Sequence, residues 1–419
     1  MKRAFGAGLL VFALFLGTWA PTSAAPAADE EARFFVLTSN GFIKGLLKAR
    51  HEFEDGFTTE ASPALLQVAR VMGAKVYPVQ RLDILQAVPA PAQGPTEPAA
   101  KPDNPGKPDK PEPSPTAEPT PEPRITPYEQ VSWGVAMLYG DDSEPTGGVD
   151  VNVAVLDTGV DQEHPDLVRR IADCRDFSQR KSSMIEGVCD DDNGHGTHVA
   201  GIIAADGGED GLGIFGVAPE ANLMTYKVCG KNGSCWSDDI AIAIRTAADN
   251  GANVINMSLG SDGRSSLIED AVLYASSKDV LIVAAAGNDG PYENSIDYPG
   301  AFEQVVAVGA IDDEYDVAEW SSRGINETTE PYSVQERDVE FAAPGVYVES
   351  TSRNGSYAVL SGTSMASPHV AGLAAKLWAF GDDAATATRD ALHDAAVDIL
   401  PSGDDNASGW GLPLVPVQE

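Results

Sequence analysis

Apolar and polar positions divide the chain into regions of different character. Arg33-Phe34-Phe35-Val36-Leu37 reads as a strand, Ala61 to Met72 has helical spacing, and Lys75–Val79 and Leu82–Leu85 read as further short strands. That predicts a small α+β unit over residues 33–88, about fifty residues and marginal in size for folding alone. From Pro89 to Pro123 proline recurs every two to four residues among Glu, Lys, Asp and Thr. Such a stretch makes no core, so 89–124 is expected to be an extended linker.

Beyond it, residues 125–415 alternate apolar β-type runs with helical patterns. Asp150–Leu156 is a strand ending at Asp157, and a helix runs from His195 through Val199–Ala204. Ala221–Val228, Val254–Ser258 and Val280–Ala286 are strands, while Asp238–Asn250 and Ser266–Ser277 are helices. The expected fold is α/β, with a mostly parallel central sheet covered by helices on both faces. Asp157, Ser258 and Asn288 then fall at or just past the carboxyl ends of strands, where such sheets gather their sites.

The N-terminus changes the picture. Lys2 and Arg3 precede an apolar run from Ala4 to Ala20 and small residues up to Ala25. This reads as a secretory signal peptide over 1–25 rather than a retained anchor, and no later stretch is long and apolar enough to span a bilayer. A secreted, extracellular protein is expected, with no membrane association after signal removal. Lys plus Arg number 28 against 63 Asp plus Glu, a net charge of -35. That field repels phosphate backbones, so no nucleic-acid partner is expected. Export favours disulfides among the four cysteines. Neighbour pairing would join Cys174 to Cys189 and Cys229 to Cys235, but three connectivities are possible and spacing does not choose among them.

The candidate chemistry lies in four segments. Asp157-Thr158-Gly159 follows a buried-type strand, and His195 sits in Asn193-Gly194-His195-Gly196-Thr197-His198. Asn288 lies in Ala286-Gly287-Asn288-Asp289-Gly290. Ser364 lies in Gly362-Thr363-Ser364-Met365-Ala366 and opens an Ala-rich helical run. Acyl transfer needs a nucleophile, a base, a group to orient the base and a donor for the oxyanion.

With these residues in the order Asp, His, Ser, the region from about Glu129 to Leu412 resembles the subtilisin-like serine peptidases, the subtilases. The resemblance implies a serine endopeptidase in which Ser364 is the nucleophile, His195 the base, Asp157 its partner and Asn288 the oxyanion donor. His164, His198 and His369 fall to structural roles. It implies that Ser258, Leu259 and Gly260 pair with substrate backbone, and that Ala285, Ala286 and Gly287 wall the pocket for the residue before the cut. Asp297 lands near the base of that pocket, which suggests a preference for Lys or Arg there. Tyr298-Pro299 matches the family's cis peptide.

The front unit resembles the family's inhibitory prodomain, an intramolecular partner that assists folding. Processing is then expected between Gln86 and Arg124. Protein or peptide substrates, a monomer and no catalytic cofactor are implied. A structural Ca2+ site is expected from Glu129, Asp166 and Asp210, with the acidic run Asp190-Asp191-Asp192 read as a solvated face. With neighbour pairing, a Cys229–Cys235 bridge would staple a loop on the substrate edge, and Cys174–Cys189 would close the loop before His195. A processing protease of few sites and an inactive binding scaffold are the rival readings. The second has no chemical use for all four groups.

Overall fold

A computed structural model describes residues 32–85, 126–140, 145–180, 182–327, 333–400 and 403–416. The signal segment, the Pro-rich linker and Arg124 lie outside the described residues. The described residues from Arg33 onward form one compact unit.

The front part is a four-stranded antiparallel sheet built from β1 (Phe34–Leu37), β2 (Glu52–Phe53), β3 (Gly56–Thr59) and β4 (Lys75–Pro78), in the order β2-β3-β1-β4. Helices α1 (Gly41–Leu47) and α2 (Pro63–Val71) cover it. Its own small core is Val36, Ile43, Leu47, Phe57, Leu66, Ala69 and Ala74. The next strand, β5 (Arg81–Ile84), leaves this sheet altogether.

The larger part begins with α3 (Trp133–Tyr139) and continues with β6 (Asn152–Asp157), β7 (Ile171–Asp176), β8 (Ile185–Glu186), α4 (His195–Ala204), β9 (Asn222–Lys227) and β10 (Ser234–Trp236). Then come α5 (Ser237–Asp249), β11 (Val254–Met257), β12 (Leu259–Gly260), α6 (Ser266–Ser276), β13 (Leu281–Ala285), β14 (Val305–Ile311) and β15 (Phe341–Pro344). A hairpin of β16 (Val348–Ser352) and β17 (Ser356–Leu360) leads to α7 (Thr363–Lys376). The central sheet runs β15-β14-β13-β11-β6-β9-β7-β8 and is parallel except for the β7–β8 pair.

Both faces of this sheet are buried, and the period-two alternation assigns residues to them. Val153 and Val155 of β6, with Leu281 and Val283 of β13, join the core under α4 and α7. Ala154 and Leu156, with Ile282 and Ala284, join the core under α5 and α6. Each fully buried Val, Leu or Ile contributes roughly 1.5–3 kcal/mol, so the middle strands form a rigid base. The expected α/β fold with helices on both faces is what forms. Disulfides link Cys174 to Cys189 and Cys229 to Cys235. Among the described residues, no helix is long and apolar enough to cross a membrane.

Candidate active site

The β6 strand delivers Asp157 to its carboxyl end, fully buried. The Asp157 carboxylate meets His195 Nδ1 through Oδ1 at 2.8 Å and Oδ2 at 3.0 Å, and Oδ1 also accepts from the Thr158 N–H at 2.7 Å. Gly196 permits this approach, because a Cβ there would stand 2.2 Å from the Gly159 carbonyl oxygen and 3.1 Å from Asp157 Cβ.

The first turn of α4 is held by side chains from outside the helix. Asn193 Oδ1 accepts from the His195 N–H (3.1 Å) and Thr158 Oγ from the Gly196 N–H (2.9 Å). Asp191 Oδ2 accepts from the N–H (3.0 Å) and hydroxyl (2.7 Å) of Thr197. These are helix N–H groups that would otherwise lack partners. Asp191 was expected on a solvated face with its two neighbours; Asp190 and Asp192 are indeed exposed, but Asp191 is buried as a helix anchor. Nearby, Lys227 Nζ donates to the carbonyls of Thr158 (2.6 Å) and Asp190 (3.0 Å), fixing the loop after β6.

Ser364 occupies the first turn of α7. Asn288 Oδ1 accepts from the N–H and the hydroxyl of Thr363, both at 3.0 Å, which leaves Asn288 Nδ2 as the donating end. Pro368 has no N–H to offer the carbonyl of Ser364, four residues earlier. The hydroxyl of Ser258 donates to that carbonyl instead, at 2.9 Å. Asn256 Nδ2 in turn holds the Ser258 hydroxyl at 3.0 Å.

The β5 strand fills the cleft between these elements. It pairs antiparallel with β10 on one side and β12 on the other, with Leu82 opposite Cys235 and Ile84 opposite Leu259. The Leu85 N–H donates to the Ser258 carbonyl (3.2 Å), and the Leu85 carbonyl accepts from the Ser364 N–H (3.3 Å). The Leu85 side chain lies beside Gly260, where a Cβ would stand 2.9 Å from Leu85 Cδ1 and 2.8 Å from Asp297 Cβ. With the tail seated, the Ser364 hydroxyl donates to the Ser258 carbonyl (2.9 Å), and buried His195 Nε2 has no hydrogen-bond partner among the described residues.

Asp297 is buried, and its Oδ1 has no hydrogen-bond partner. Burial pushes its carboxyl up to about 7, with the charges of Asp289 and Asp262 adding to the effect. Its backbone N–H donates to the Ala286 carbonyl (2.8 Å), which ties Asp297 to the segment Ala285–Gly287. The Tyr298–Pro299 peptide is cis, as the resemblance implied.

A buried ionic cluster anchors the front part to α5. Arg33 Nη1 reaches Asp238 at 3.1 Å and Asp239 at 2.7 Å, while Arg50 and His51 meet Asp239 at 3.0 and 2.7 Å. Burial opposes ionisation of Asp239, yet His51, Arg33 and Arg50 hold its carboxyl below the usual range. Burial and the neighbouring Asp239 push the Asp238 carboxyl upward.

Three further histidines meet backbone carbonyls. His164 Nε2 meets the Ser356 carbonyl (3.0 Å), His198 Nε2 meets those of Val348 and Ala358 (both 3.1 Å), and His369 Nδ1 meets that of Met365 (2.7 Å). At the expected cation site, Asp166 Oδ1 and Asp210 Oδ1 lie 3.0 and 3.3 Å from where a Gly208 Cβ would stand. Glu129 is exposed, and it is the adjacent Gln130 whose side chain bonds the loop at the Gly211 carbonyl.

The sequence profile of the Subtilase family matches residues 148–411. The chain belongs to the subtilase family. "Subtilisin" of Bacillus sp. (strain TA39) is 49% identical over 307 residues, covering 68% of this chain and 73% of that protein. "Subtilisin Savinase" of Lederbergia lenta is 42% identical over 249 residues, 59% of this chain and 84% of that protein. The solved structure of "Sphericase" superposes with a TM-score of 0.67 at 48% identity, covering 69% of this chain and 100% of that one. As a subtilase, the protein is a serine endopeptidase.

Proposed function

We propose that this subtilase is made as a self-processing, exported precursor, with Ser364 as nucleophile, His195 as general base and Asp157 holding the imidazole. The supporting observation is the seating of Leu85, whose carbonyl accepts from the Ser364 N–H while its strand pairs on both sides as a peptide substrate would. The Ser364 hydroxyl turns from the Ser258 carbonyl to His195 Nε2, gives up its proton there and attacks the Leu85 carbonyl carbon. The Ser364 N–H and Asn288 Nδ2 stabilise the oxyanion. His195 then passes the proton to the departing Gln86 amine, and water hydrolyses the acyl-enzyme by the same relay. The first processing point is Leu85–Gln86, at the front edge of the range expected from sequence. The freed front part stays bound as an inhibitor through Arg33, Arg50 and His51 until it is removed, and the monomeric peptidase then takes protein substrates along β10 and β12.

The pocket suits two classes of side chain. Protonated Asp297 accommodates Leu, as the tail illustrates, whereas ionised Asp297 pairs with Lys or Arg. Its carboxyl loses its proton as pH rises through about 7, so the ratio of kcat/KM for Arg over Leu peptides should climb between pH 6 and 9. Equal cleavage after Phe and Arg at pH 9 would dispose of the basic preference. A structural Ca2+ would be held by Asp166 and Asp210, whose Oδ1 atoms approach the same point beside Gly208. Hard oxygen donors of this kind suit calcium, which would stiffen the loop without taking part in the reaction. Export rests on the charged and apolar pattern of residues 1–25 and on the two disulfides.

A further inference from the structure

The mouth of the pocket holds more negative charge than one substrate side chain needs. Asp262 and Asp289 are exposed, Asp297 is buried, and one carboxylate oxygen from each lies within 4.8 Å of the others. Asp297 is 2% exposed, and its Oδ1 has no hydrogen-bond partner among the described residues. Three such oxygens can share a centre within about 2.8 Å of each (4.8/√3). That is a few tenths of an ångström outside calcium–oxygen distances and well beyond those of magnesium. Asp262 follows the β12 edge, Asp289 follows Asn288, and Asp297 forms the pocket base, so the three donors come from three separate segments of a rigid frame.

We propose that Asp262, Asp289 and Asp297 form a divalent-cation site, suited to calcium, at the mouth of the pocket that receives the residue before the cut. The inference rests on the reading of that pocket given above. The open side toward solvent supplies water ligands, and the buried Asp297 supplies a carboxylate oxygen from inside the frame. Occupancy excludes a Lys or Arg side chain, because both would compensate the same carboxylates. A Leu side chain, packed against Gly260, makes no such claim on them. Calcium at this site therefore narrows the enzyme toward apolar residues, and its absence opens the pocket to basic ones.

The direct test counts bound calcium by equilibrium dialysis on the full-length Ser364→Ala chain, in which the tail stays uncut. The Asp262→Asn/Asp289→Asn variant, altered only at exposed positions, should bind one ion fewer per chain. Asp166→Asn should remove a different ion, so that combining the two sets of changes removes both. An unchanged count in the double variant overturns the proposal, and thermal melting confirms that the variant is folded. The kinetic arm uses the processed wild-type enzyme with peptides that differ only in Arg or Leu before the cut. At calcium ten times the dissociation constant of the site, cleavage after Arg should fall roughly elevenfold relative to Leu, and the Asp262→Asn/Asp289→Asn enzyme should show no such dependence. Arg cleavage insensitive to calcium in the wild type overturns the proposal. If Arg is no better than Phe even at the lowest calcium, the basic-preference reading fails, while the dialysis count still decides whether the ion binds.

Discussion

The Leu85 carbonyl and the Ser364 N–H meet at 3.3 Å at the start of α7, so the chain's own tail is bound to the helix end that would hold a tetrahedral oxyanion. A helix N-terminus carries partial positive charge and N–H groups without intrahelical partners. Here the tail uses one of them, and Asn288 stands beside it with Nδ2 as its donating end.

Asn288→Ala removes one of the two proposed oxyanion donors and leaves the other in place. The kcat of the processed enzyme should fall by roughly 10²–10³ with a small change in KM, a magnitude borrowed from a subtilisin rather than obtained from this geometry. Steady-state kinetics on a single peptide substrate checks it. A loss confined to KM would mean that Asn288 binds substrate rather than the transition state.

Ser258→Ala should disturb Ser364 through its backbone carbonyl, leaving the contacts of the Ser364 hydroxyl in place. The Ser258 hydroxyl satisfies the Ser364 carbonyl that Pro368 leaves without a helical donor. An unsatisfied buried carbonyl costs about 1–3 kcal/mol, to be read as a lower denaturant midpoint together with a lower kcat. Wild-type stability in this variant would show that the helix finds another partner for that carbonyl.

Asp239→Asn weakens the buried cluster that anchors the front part after the cut. Breaking a buried pair costs about 3–5 kcal/mol because the partner charge stays buried, here Arg50 and part of the Arg33 interaction. Dissociation of the cut front part, followed as the emergence of activity, should quicken by about a hundredfold or more. An unchanged rate would assign the hold to β5 alone.

Acid should destabilise the peptidase part through two histidines buried in neutral form. Burial pushes His198 down to about 3, with the nearby His195 adding to it, and burial pushes His369 down to about 4. An unfolded histidine takes up a proton near pH 6.5, so these groups favour the unfolded chain increasingly as pH falls below that value. Each should cost about 3 kcal/mol of stability by pH 4. Denaturant unfolding of Ser364→Ala between pH 7 and 4 checks the slope, and His198→Asn should remove about one proton from it. A flat profile would place these imidazoles in a more hydrated setting.

Much of this arrangement was legible in the letters. The buried strands read as continuous apolar runs, as strands covered on both faces do, and their carboxyl ends located Asp157, Ser258 and Asn288. The pairings between residues distant in sequence were not legible. Leu82–Leu85 read correctly as a strand, but nothing local said that it would leave its own sheet and lie between β10 and β12. Helix α1 and strands β2 and β3 were missed because they are short and depend on the sheet around them. Asp191 looked like one of three solvated acids, since only the folded chain brings Thr158 and Thr197 to its carboxylate. The role of the Ser258 hydroxyl did leave a trace, because Pro368 four residues after Ser364 announces a carbonyl in need of a donor.

The central claim is that Ser364 cuts the bond after Leu85 in its own chain. Intact-mass analysis of purified precursor, wild type against Ser364→Ala, measures this most directly. The account predicts a new N-terminus at Gln86 in the wild type and an uncut chain in Ser364→Ala. A cut in Ser364→Ala, or a wild-type chain whose first cut falls elsewhere, would contradict it.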